Sequence, residues 1–304
     1  MKKITQEQIN EVKGLGFLIN RSTNTFSGRI VPCGTVFSAQ NFADIAKLSS
    51  VFGNGKVFAT SRLSIEVPGI PYHKIKEAIS FANEHNLRFG GTGNKIRPIT
   101  ACKGTTCVYG NCDTQDIAKQ IHEKYYIGWK NVKLPHKFKI GVGGCPNSCM
   151  KPSLNDFGIE GHKTPVCDKT LCKNCTKCIV ETRCPTKAAQ IIDDKINIDS
   201  SKCISCGICV GKCPFGAIAN ESNTEYKIFV GGTWGKTTRI GTPLSFTVKY
   251  EDLFSILEKS IIWFKLNAKE KERFGVAINR VGFEKFEQDI INDNLLSQKD
   301  KLFE

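Results

Sequence analysis

The apolar positions between residues 26 and 88 predict alternating strands and helices. Residues 28–31 have the composition of a short strand, and residues 38–52 carry apolar side chains at near-helical spacing up to Gly53. Residues 57–67 alternate between apolar and polar side chains, which predicts one further strand. A second amphipathic helix begins after Pro71, whose fixed backbone angle suits a helix start. This pattern indicates a compact α+β unit.

Beyond residue 88 the pattern indicates a second unit that is interrupted. A glycine-rich connection at 89–100 precedes a predicted helix with one apolar stripe. The stripe comprises Ile117, Ile121 and Tyr125. Residues 167–219 are dense in cysteine and have short loops, whereas residues 227–303 return to a strand, a glycine-rich turn and amphipathic helices. We therefore predict that residues 167–219 are an insertion.

Length and composition agree with a globular protein of about two domains, since the chain has 304 residues and is 40% hydrophobic. The first residues contain no apolar signal-peptide core, and no run of eighteen apolar residues occurs. We therefore expect a soluble, cytoplasmic protein that does not enter a membrane. In that reducing compartment, fifteen cysteines grouped as C-x2-C indicate metal ligands rather than disulfides.

The cysteines of the predicted insertion form a repeated motif. The first copy is Cys172-x2-Cys175-x2-Cys178-x5-Cys184-Pro185, and the second is Cys203-x2-Cys206-x2-Cys209-x3-Cys213-Pro214. Such triplets supply three thiolates to a cubane cluster from one tight turn, whereas zinc modules place cysteines in separated pairs. The block resembles a two-cluster bacterial ferredoxin, although the usual gap before the fourth cysteine is three residues rather than five. In that family the fourth cysteine binds the other cluster. The resemblance therefore implies the two sets Cys172, Cys175, Cys178, Cys213 and Cys203, Cys206, Cys209, Cys184.

A second constellation combines Thr100-Ala101-Cys102-Lys103-Gly104-Thr105-Thr106-Cys107 with Gly144-Cys145-Pro146-Asn147-Ser148-Cys149. It resembles the siroheme and 4Fe-4S signature of the sulfite and nitrite reductases. The resemblance implies that Cys102, Cys107, Cys145 and Cys149 hold a third cluster, and that Cys149 also bridges to the siroheme iron. Cys102 and Cys107 are separated by four residues where the family usually has five. Cys112, four residues further on, is the alternative ligand.

The segment before Cys145 alternates, so that Lys137 and Lys139 share one face and Phe138 and Ile140 pack on the other. A pair of lysines on a strand is commonly only a solvated face. The family, however, uses two lysines at this place to bind the substrate anion and to deliver protons. The resemblance thus implies a catalytic role for both, with His136 at most assisting them.

Further candidates follow from the same resemblance. Arg62 and Arg97 match positions that hold siroheme carboxylates or substrate, and Arg29 is one residue out of register with a third such position; each is otherwise a surface charge. The segment from Gly231 to Arg239 resembles the C-terminal glycine loop of the family, and it is not a P-loop because Val230 stands where a glycine is required. Its candidate cofactor-binding residues are Gly231, Gly232, Lys236 and Arg239. The three cysteines outside the sets, Cys33, Cys112 and Cys167, are interpreted as thiols without ligand roles.

The resemblance covers nearly the whole chain and implies an α+β fold. It implies a ferredoxin-like half-domain at 1–88, a siroheme and 4Fe-4S half-domain at 89–166 and 220–304, and an inserted bacterial-type ferredoxin domain with two 4Fe-4S clusters at 167–219. It also implies a small anaerobic-type sulfite reductase that carries out a six-electron reduction. Nitrite reduction to ammonia is the alternative, but nitrite enzymes often have Asn at the position of Lys139. The non-catalytic alternative is a polyferredoxin that only carries electrons.

The net charge of +14 is compatible with nucleic-acid binding, but the implied cofactors explain it better. Three clusters contribute roughly −6 and the eight carboxylates of a siroheme roughly −8. We expect no nucleic-acid partner.

No G-x-G-x-x-G motif follows a strand, so electrons are expected from an external ferredoxin or a flavoprotein subunit. Larger family members contain two copies of the paired half-domains and this chain has one, so we expect a homodimer, or alternatively a heteromer with a related siroheme-binding subunit.

Overall fold

A computed structural model describes residues 4–303, which divide into two compact units. The first unit contains the residues up to Ala101, then Gln115–Ile140, and the residues from Lys259 onward; the second contains Cys102–Thr114 and Gly141–Glu258. The domain limits implied by the sequence resemblance remain a prediction.

The described chain contains helices and strands in an α+β arrangement. The helices are α1 Gln6–Lys13, α2 Ala39–Phe52, α3 Ile75–Glu84, α4 Thr114–Ile121, α5 Ile179–Arg183, α6 Tyr250–Asn267, α7 Phe274–Val281 and α8 Phe283–Ile291. The strands are β1 Phe17–Ile19, β2 Thr25–Ile30, β3 Phe58–Ala59, β4 Ile65–Pro71, β5 Thr100–Ala101, β6 Ile140–Gly143, β7 Phe157–Lys163, β8 Ala189–Ile192, β9 Lys195–Ile198, β10 Thr224–Val230 and β11 Thr242–Val248.

The first unit contains an antiparallel sheet in the order β1-β2-β4-β3. Along β2, Phe26 and Ile30 are fully buried in the core, together with side chains of α2 and α3, whereas Arg29 is only half-buried. Because successive side chains of a strand point to opposite faces, burial of Phe26 and Ile30 places Arg29 on the other face of the sheet. The local pattern of β2 therefore decides which way this arginine points.

Helix α2 confirms the helix predicted at residues 38–52. The Ser38 hydroxyl accepts a hydrogen bond from the Asn41 amide at 3.0 Å, and the Asn41 side chain accepts one from the Ser38 amide at 3.0 Å. This reciprocal capping satisfies two backbone donors that the first helical turn leaves open. The helix ends at Gly53, where a Cβ atom would lie 2.7 Å from the Pro68 carbonyl oxygen, so only glycine allows this close approach.

The single strand predicted at residues 57–67 is wrong, because these residues form a hairpin. Strand β3 pairs antiparallel with β4, and the chain turns between them. The Thr60 hydroxyl accepts hydrogen bonds from the amides of Arg62 (3.3 Å) and Ser64 (3.2 Å), and Leu63 has a positive φ of 59°. A side-chain oxygen that captures backbone amides competes with the strand ladder, which the alternating pattern does not reveal. The turn places Arg62 at its tip.

The segment that carries the two candidate lysines is anchored by its apolar side chains. Phe138 is fully buried, with ring centroids 5.7 Å from Phe264 and 5.1 Å from Phe274, whereas Lys137 and Lys139 on either side are half-buried. The predicted alternation is therefore confirmed. The predicted apolar stripe is confirmed as well, because Ile117 and Ile121 on α4 and Tyr125 in the π-helical segment that follows it are all buried.

The second unit is built on strands that lie side by side in the order β11-β10-β7-β6. Strand β10 pairs antiparallel with both β7 and β11. The predicted insertion leaves this sheet after β7, and its two ends are paired with each other. Cys167 forms an antiparallel bridge with Ile218, and the Ala219 amide donates to the Val166 carbonyl at 3.0 Å. Between these ends lie α5, the hairpin β8–β9 and a small apolar core of their own.

No helix between residues 4 and 303 is long and apolar enough to cross a membrane. The longest helix, α6, has 18 residues. Three consecutive members of this helix, Ile262, Trp263 and Phe264, are fully buried in the protein.

We predict that Phe138→Ala lowers the free energy of unfolding by about 3–5 kcal/mol, because it leaves a cavity between Phe264 and Phe274. Urea denaturation followed by circular dichroism measures the change. Val276→Ala on α7 is the control, since Val276 is 54% exposed and its truncation should change the value by less than about 0.5 kcal/mol. A loss below about 1 kcal/mol in Phe138→Ala would show that this ring does not anchor the lysine segment.

Candidate functional site

The first unit contains a cleft of about 330 Å³ with a strongly basic lining. Six cationic side chains line it, and none of the described residues that line it is acidic. These cations are Lys13, Arg29, Arg62, Arg97, Lys137 and Lys139. The structure thus brings together all five basic residues of this unit that the sequence singled out. Such a concentration of one sign of charge in a concave site favours an anion with several negative groups.

Backbone carbonyls hold the three arginines in place. The Gly91 carbonyl accepts hydrogen bonds from Arg29 Nη1, at 3.0 Å, and from Arg97 Nη1. The Pro98 carbonyl accepts one from Arg62 Nη2 at 2.7 Å. Arg29 also forms an ion pair with Glu66, with Nη2 2.6 Å from Oε1. Because a guanidinium has several donors in a rigid plane, these contacts fix its orientation.

Gly91 can hold two arginines only because it is a glycine. Its φ is +76°, and a Cβ atom would lie 3.1 Å from both Arg29 Cδ and Pro98 Cγ. Its amide donates a 3.0 Å hydrogen bond to the hydroxyl oxygen of Tyr126. Burial raises the pKa of Tyr126 despite the opposing effect of nearby arginines, so the phenol stays neutral at pH 7. The backbone of Gly91 is therefore held at both its N–H and its carbonyl group.

His136 stands beside the lysine pair as a neutral acceptor. Its Nδ1 accepts a hydrogen bond from the Lys137 amide at 2.8 Å, which places the imidazole proton on Nε2. Partial burial, and then the charges of Arg273, Lys137 and Arg97, lower the pKa of His136 below its usual value. The imidazole is consequently uncharged at neutral pH and adds no further positive charge to this region.

Several residues of the cleft were missed by the sequence interpretation. Lys13 is the last residue of α1, and its carbonyl accepts a hydrogen bond from the hydroxyl of Thr92, which ties the helix end to the glycine-rich connection. Hydroxyl groups also line the cleft, from Thr60, Ser61, Ser64 and Thr92. In the sequence Lys13 is one of several charged residues on an amphipathic helix, so no local signal distinguishes it.

In the second unit, the four cysteines that the resemblance assigns to the third cluster, here called the catalytic cluster, lie close to one another. The pKa of Cys145 is raised by burial, and the thiols of Cys102, Cys107 and Cys149 contribute to the increase. The structure thus brings together residues from two segments about forty positions apart in the sequence. Cys149 is exposed, and the other three are partly buried.

Cys102 and Cys112 differ in ways that bear on which of them is a ligand. The Cys102 sulfur accepts hydrogen bonds from the amides of Gly144 (3.2 Å) and Gly104 (3.4 Å), which stabilise negative charge on a sulfur. Cys112 is buried close to Gly161, and burial raises its pKa to about 12. The amide donors at its sulfur suit Cys102 to the role of ligand, and the choice between it and Cys112 remains a prediction.

The inserted segment brings together one set of thiols from both copies of its motif. The pKa of Cys209 is raised to about 11 by burial, and the thiols of Cys206, Cys203 and Cys184 add to the increase. All four line one small cavity. The Cys184 sulfur accepts hydrogen bonds from the amides of Ala188 at 3.2 Å and Ala189 at 3.4 Å. These amide donors outweigh burial and lower the pKa of Cys184.

The other set of the insertion also packs against its small core. Cys172 and Cys213 pack on this core with Cys178, while Cys175 is exposed in the turn between Cys172 and Cys178. The pKa of Cys213 is lowered, as at Cys184. Burial alone would raise it, but hydrogen bonds from the amides of residues 215–218 have the larger effect. The fourth cysteines of both motifs are therefore in similar surroundings.

Within residues 4–303 no three His, Cys, Asp or Glu side chains are grouped as ligands of one metal ion. The thiolates of a cubane bind four different iron atoms and stand further apart than the ligands of one ion. The donors of all three sets are thiols, some with amide donors at the sulfur, and this is the chemistry that iron-sulfur clusters require.

The glycine loop predicted to bind a cofactor lies in the second unit. The Gly231 amide donates to the Asp156 carbonyl at 2.8 Å, and a Cβ on Gly232 would collide with the Ser153 carbonyl. Close backbone packing thus explains Gly232, and a positive φ of 78° explains Gly231. The exposed tip carries Lys236, and Arg239 pairs through its backbone with Thr233 in both directions.

Two family models match the chain. Residues 21–85 match the nitrite/sulfite reductase ferredoxin-like half domain, and residues 92–298 match the nitrite and sulphite reductase 4Fe-4S domain. Lys13 precedes both matches.

Individual proteins are similar as well. An uncharacterized protein of Methanocaldococcus jannaschii is 31% identical over 74% of this chain and 76% of its own length. The coenzyme F420-dependent sulfite reductase of the same organism is 29% identical over 78% of this chain, but the match spans only 37% of that larger protein.

Among solved structures, dissimilatory sulfite reductase I has the same fold. It superposes with a TM-score of 0.70 at 20% identity, covering 88% of this chain and 69% of that one. The predicted α+β fold with a ferredoxin-like half-domain is therefore confirmed. Because the 4Fe-4S domain model covers more than half of the chain, this protein belongs to the nitrite and sulphite reductase family.

Proposed function

We propose that this protein reduces sulfite to sulfide. The observation that carries the proposal is the basic cleft of the first unit, in which Lys137 and Lys139 lie with three arginines fixed by backbone carbonyls. The similarity to a sulfite reductase of Methanocaldococcus jannaschii supports it. The chain spans about a third of that relative's length, so the activity of the larger protein does not transfer by itself.

The residues of the cleft fit the siroheme that the family binds. A macrocycle with eight carboxylates requires several cations and few competing acids, and the cleft supplies six cations from one concave surface. We assign Arg29, Arg62 and Arg97 to these carboxylates or to the substrate, and Cys102, Cys107, Cys145 and Cys149 to the catalytic cluster. When bound, siroheme would supply an iron for the sulfur of sulfite and the cluster would supply electrons, with Cys149 the residue that the family resemblance assigns to link the two groups.

The protein's own residues supply charge and protons. Reduction of sulfite consumes six electrons and seven protons and yields hydrosulfide and three waters. Lys137 and Lys139, with Arg97, neutralise the oxyanion, and the two ammonium groups donate protons to each departing oxygen. The neutral His136 accepts a hydrogen bond at its Nδ1 and keeps the Lys137 backbone in position.

We further propose that the inserted segment is a ferredoxin domain with two clusters, bringing the total to three. The grouping of Cys184 with the second triplet, rather than with its own, supports the exchange of fourth ligands. The paired ends at Val166 and Ala219 support an insertion that folds as a local unit. Electrons then come from outside the chain, from a ferredoxin or a flavoprotein subunit.

Nitrite reduction is the alternative, and the presence of Lys139 favours sulfite because a second ammonium suits a doubly charged anion. A polyferredoxin without catalysis needs no cleft with six cations. Turnover assays with sulfite and nitrite as separate substrates distinguish the three functions.

We predict about twelve cluster irons and one siroheme iron per chain. Removal of a catalytic ligand by Cys102→Ser should lower the count by about four irons, whereas Cys112→Ala should leave it unchanged because the buried Cys112 is not a ligand. Iron analysis of anaerobically purified protein measures both. A fully reconstituted protein with only two clusters would contradict the assignment of the Cys102 set.

Substitution of either lysine should slow turnover without loss of cofactor. We expect Lys137→Ala and Lys139→Ala to lower kcat by about 10²-fold or more, because each removes a positioned proton donor. Lys133→Ala, on the same segment but exposed, is the matched control. Wild-type rates in both variants with an intact siroheme spectrum would mean that these lysines are only a charged face.

We expect a homodimer. A single set of half-domains would leave siroheme and one sheet edge exposed to water, so a partner should cover them. A symmetric contact between two copies of the chain is the commonest solution. Light scattering of the holoprotein well below micromolar concentration tests this expectation. An active monomer would contradict it, and a heteromer with a related subunit is the alternative.

A further inference from the structure

The two cluster sites of the insertion differ in how they are joined to the rest of the second unit. The Lys163 amide at the end of β7 donates to the Ser205 carbonyl at 2.8 Å, and Lys163 forms a parallel bridge with Cys206. The loop of the second triplet is therefore continuous with the sheet. Cys175, by contrast, lies in an exposed turn of the first triplet.

Asn111 connects the second triplet to the catalytic thiols. Its Nδ2 donates to the carbonyls of Cys206 at 3.4 Å and Gly161 at 3.2 Å. Its backbone amide donates to the Gly144 carbonyl at 2.8 Å, and Gly144 is joined by a peptide bond to Cys145. Two hydrogen bonds and two residues, Asn111 and Gly144, thus separate Cys206, in one ligand set, from Cys145, in another.

The side chain of Asn111 has one allowed orientation. Both of its partners are carbonyl oxygens, which only accept, so the amide nitrogen must face them. Gly207 is also required, since its φ is +72° and a Cβ there would lie 2.6 Å from Asn111 Oδ1. The Asn111 carbonyl in turn accepts a hydrogen bond from the Thr224 hydroxyl at 2.8 Å. A residue held at four points is suited to fix the distance between two loops.

We propose that Asn111 is a positioning residue that holds the cluster of Cys184, Cys203, Cys206 and Cys209 next to the catalytic cluster, and that this set is the electron exit of the insertion. The inference rests on the proposed function. Each electron leaves the exit cluster, which is oxidised, and reduces the catalytic cluster by one electron. The set that contains the exposed Cys175 is then the outer cluster, which receives electrons from the external iron-sulfur or flavin donor.

Electron paramagnetic resonance of the dithionite-reduced holoprotein tests the arrangement without sulfite. Reduced clusters that lie close together couple magnetically. We expect Cys203→Ser, which removes the exit cluster, to abolish the coupling between the catalytic cluster and the insertion, and Cys175→Ser, which removes the outer cluster, to preserve it. Coupling that survives Cys203→Ser but is lost in Cys175→Ser would overturn the assignment.

Asn111→Ala tests the positioning role, and Asn174→Ala is the control because Asn174 lies in the outer turn and contacts Asp194. In protein with full iron content, Asn111→Ala should weaken the magnetic coupling between the exit cluster and the catalytic cluster. It should also slow the reduction of the catalytic cluster, measured by stopped-flow mixing with reduced ferredoxin. Asn111→Asp should do the same, since it loses the Nδ2 donor. Unchanged coupling and rate in both variants would overturn the role of Asn111.

If Asn111→Ala loses iron, Asn111→Asp and Gly207→Ala test the positioning role instead. The Cβ atom that Gly207→Ala adds would collide with Asn111 Oδ1 and displace the Asn111 side chain from the Cys206 carbonyl. Wild-type coupling in an iron-replete Gly207→Ala would then contradict the proposal. Because magnetic coupling is measured without substrate, a wild-type protein that shows it but reduces no sulfite would refute only the proposed function.

Discussion

The basic cleft depends on the backbone of one residue, Gly91. Six cations on one concave surface repel each other, so their side chains need fixed partners to remain there before a ligand binds. The Gly91 carbonyl accepts both Arg29 and Arg97, and its amide is held by Tyr126. The left-handed backbone and the absence of a Cβ make this geometry possible, because any side chain would press on Arg29 and Pro98.

The same means of holding charge recurs at the thiols. Cys102, Cys184 and Cys213 are surrounded by backbone amides rather than by basic side chains. Amides that donate to a sulfur favour the thiolate, which is the form that binds iron. The basic side chains gathered in the cleft suit soluble or carboxylate anions, whereas these thiols receive backbone amides.

Residues that take no part in the proposed chemistry hold the functional residues in place. Phe138 packs against Phe264 and Phe274 and so fixes the backbone from which Lys137 and Lys139 project in one direction. In the second unit, Asn111 performs a comparable task with hydrogen bonds, since it spans two ligand loops. In both places the positioning residue differs in chemistry from the residues that it positions.

The sequence by itself determined the α+β class, the helix at 38–52, the alternation around Phe138 and the cysteine motifs, because each depends on spacing within one short segment. Only the tertiary structure decided the hairpin that turns Arg62 into the cleft and the participation of Lys13. It also decided the contact of Asn111 with Cys206. These features depend on hydrogen bonds and close approaches between segments that are far apart in the chain, and no local periodicity records them.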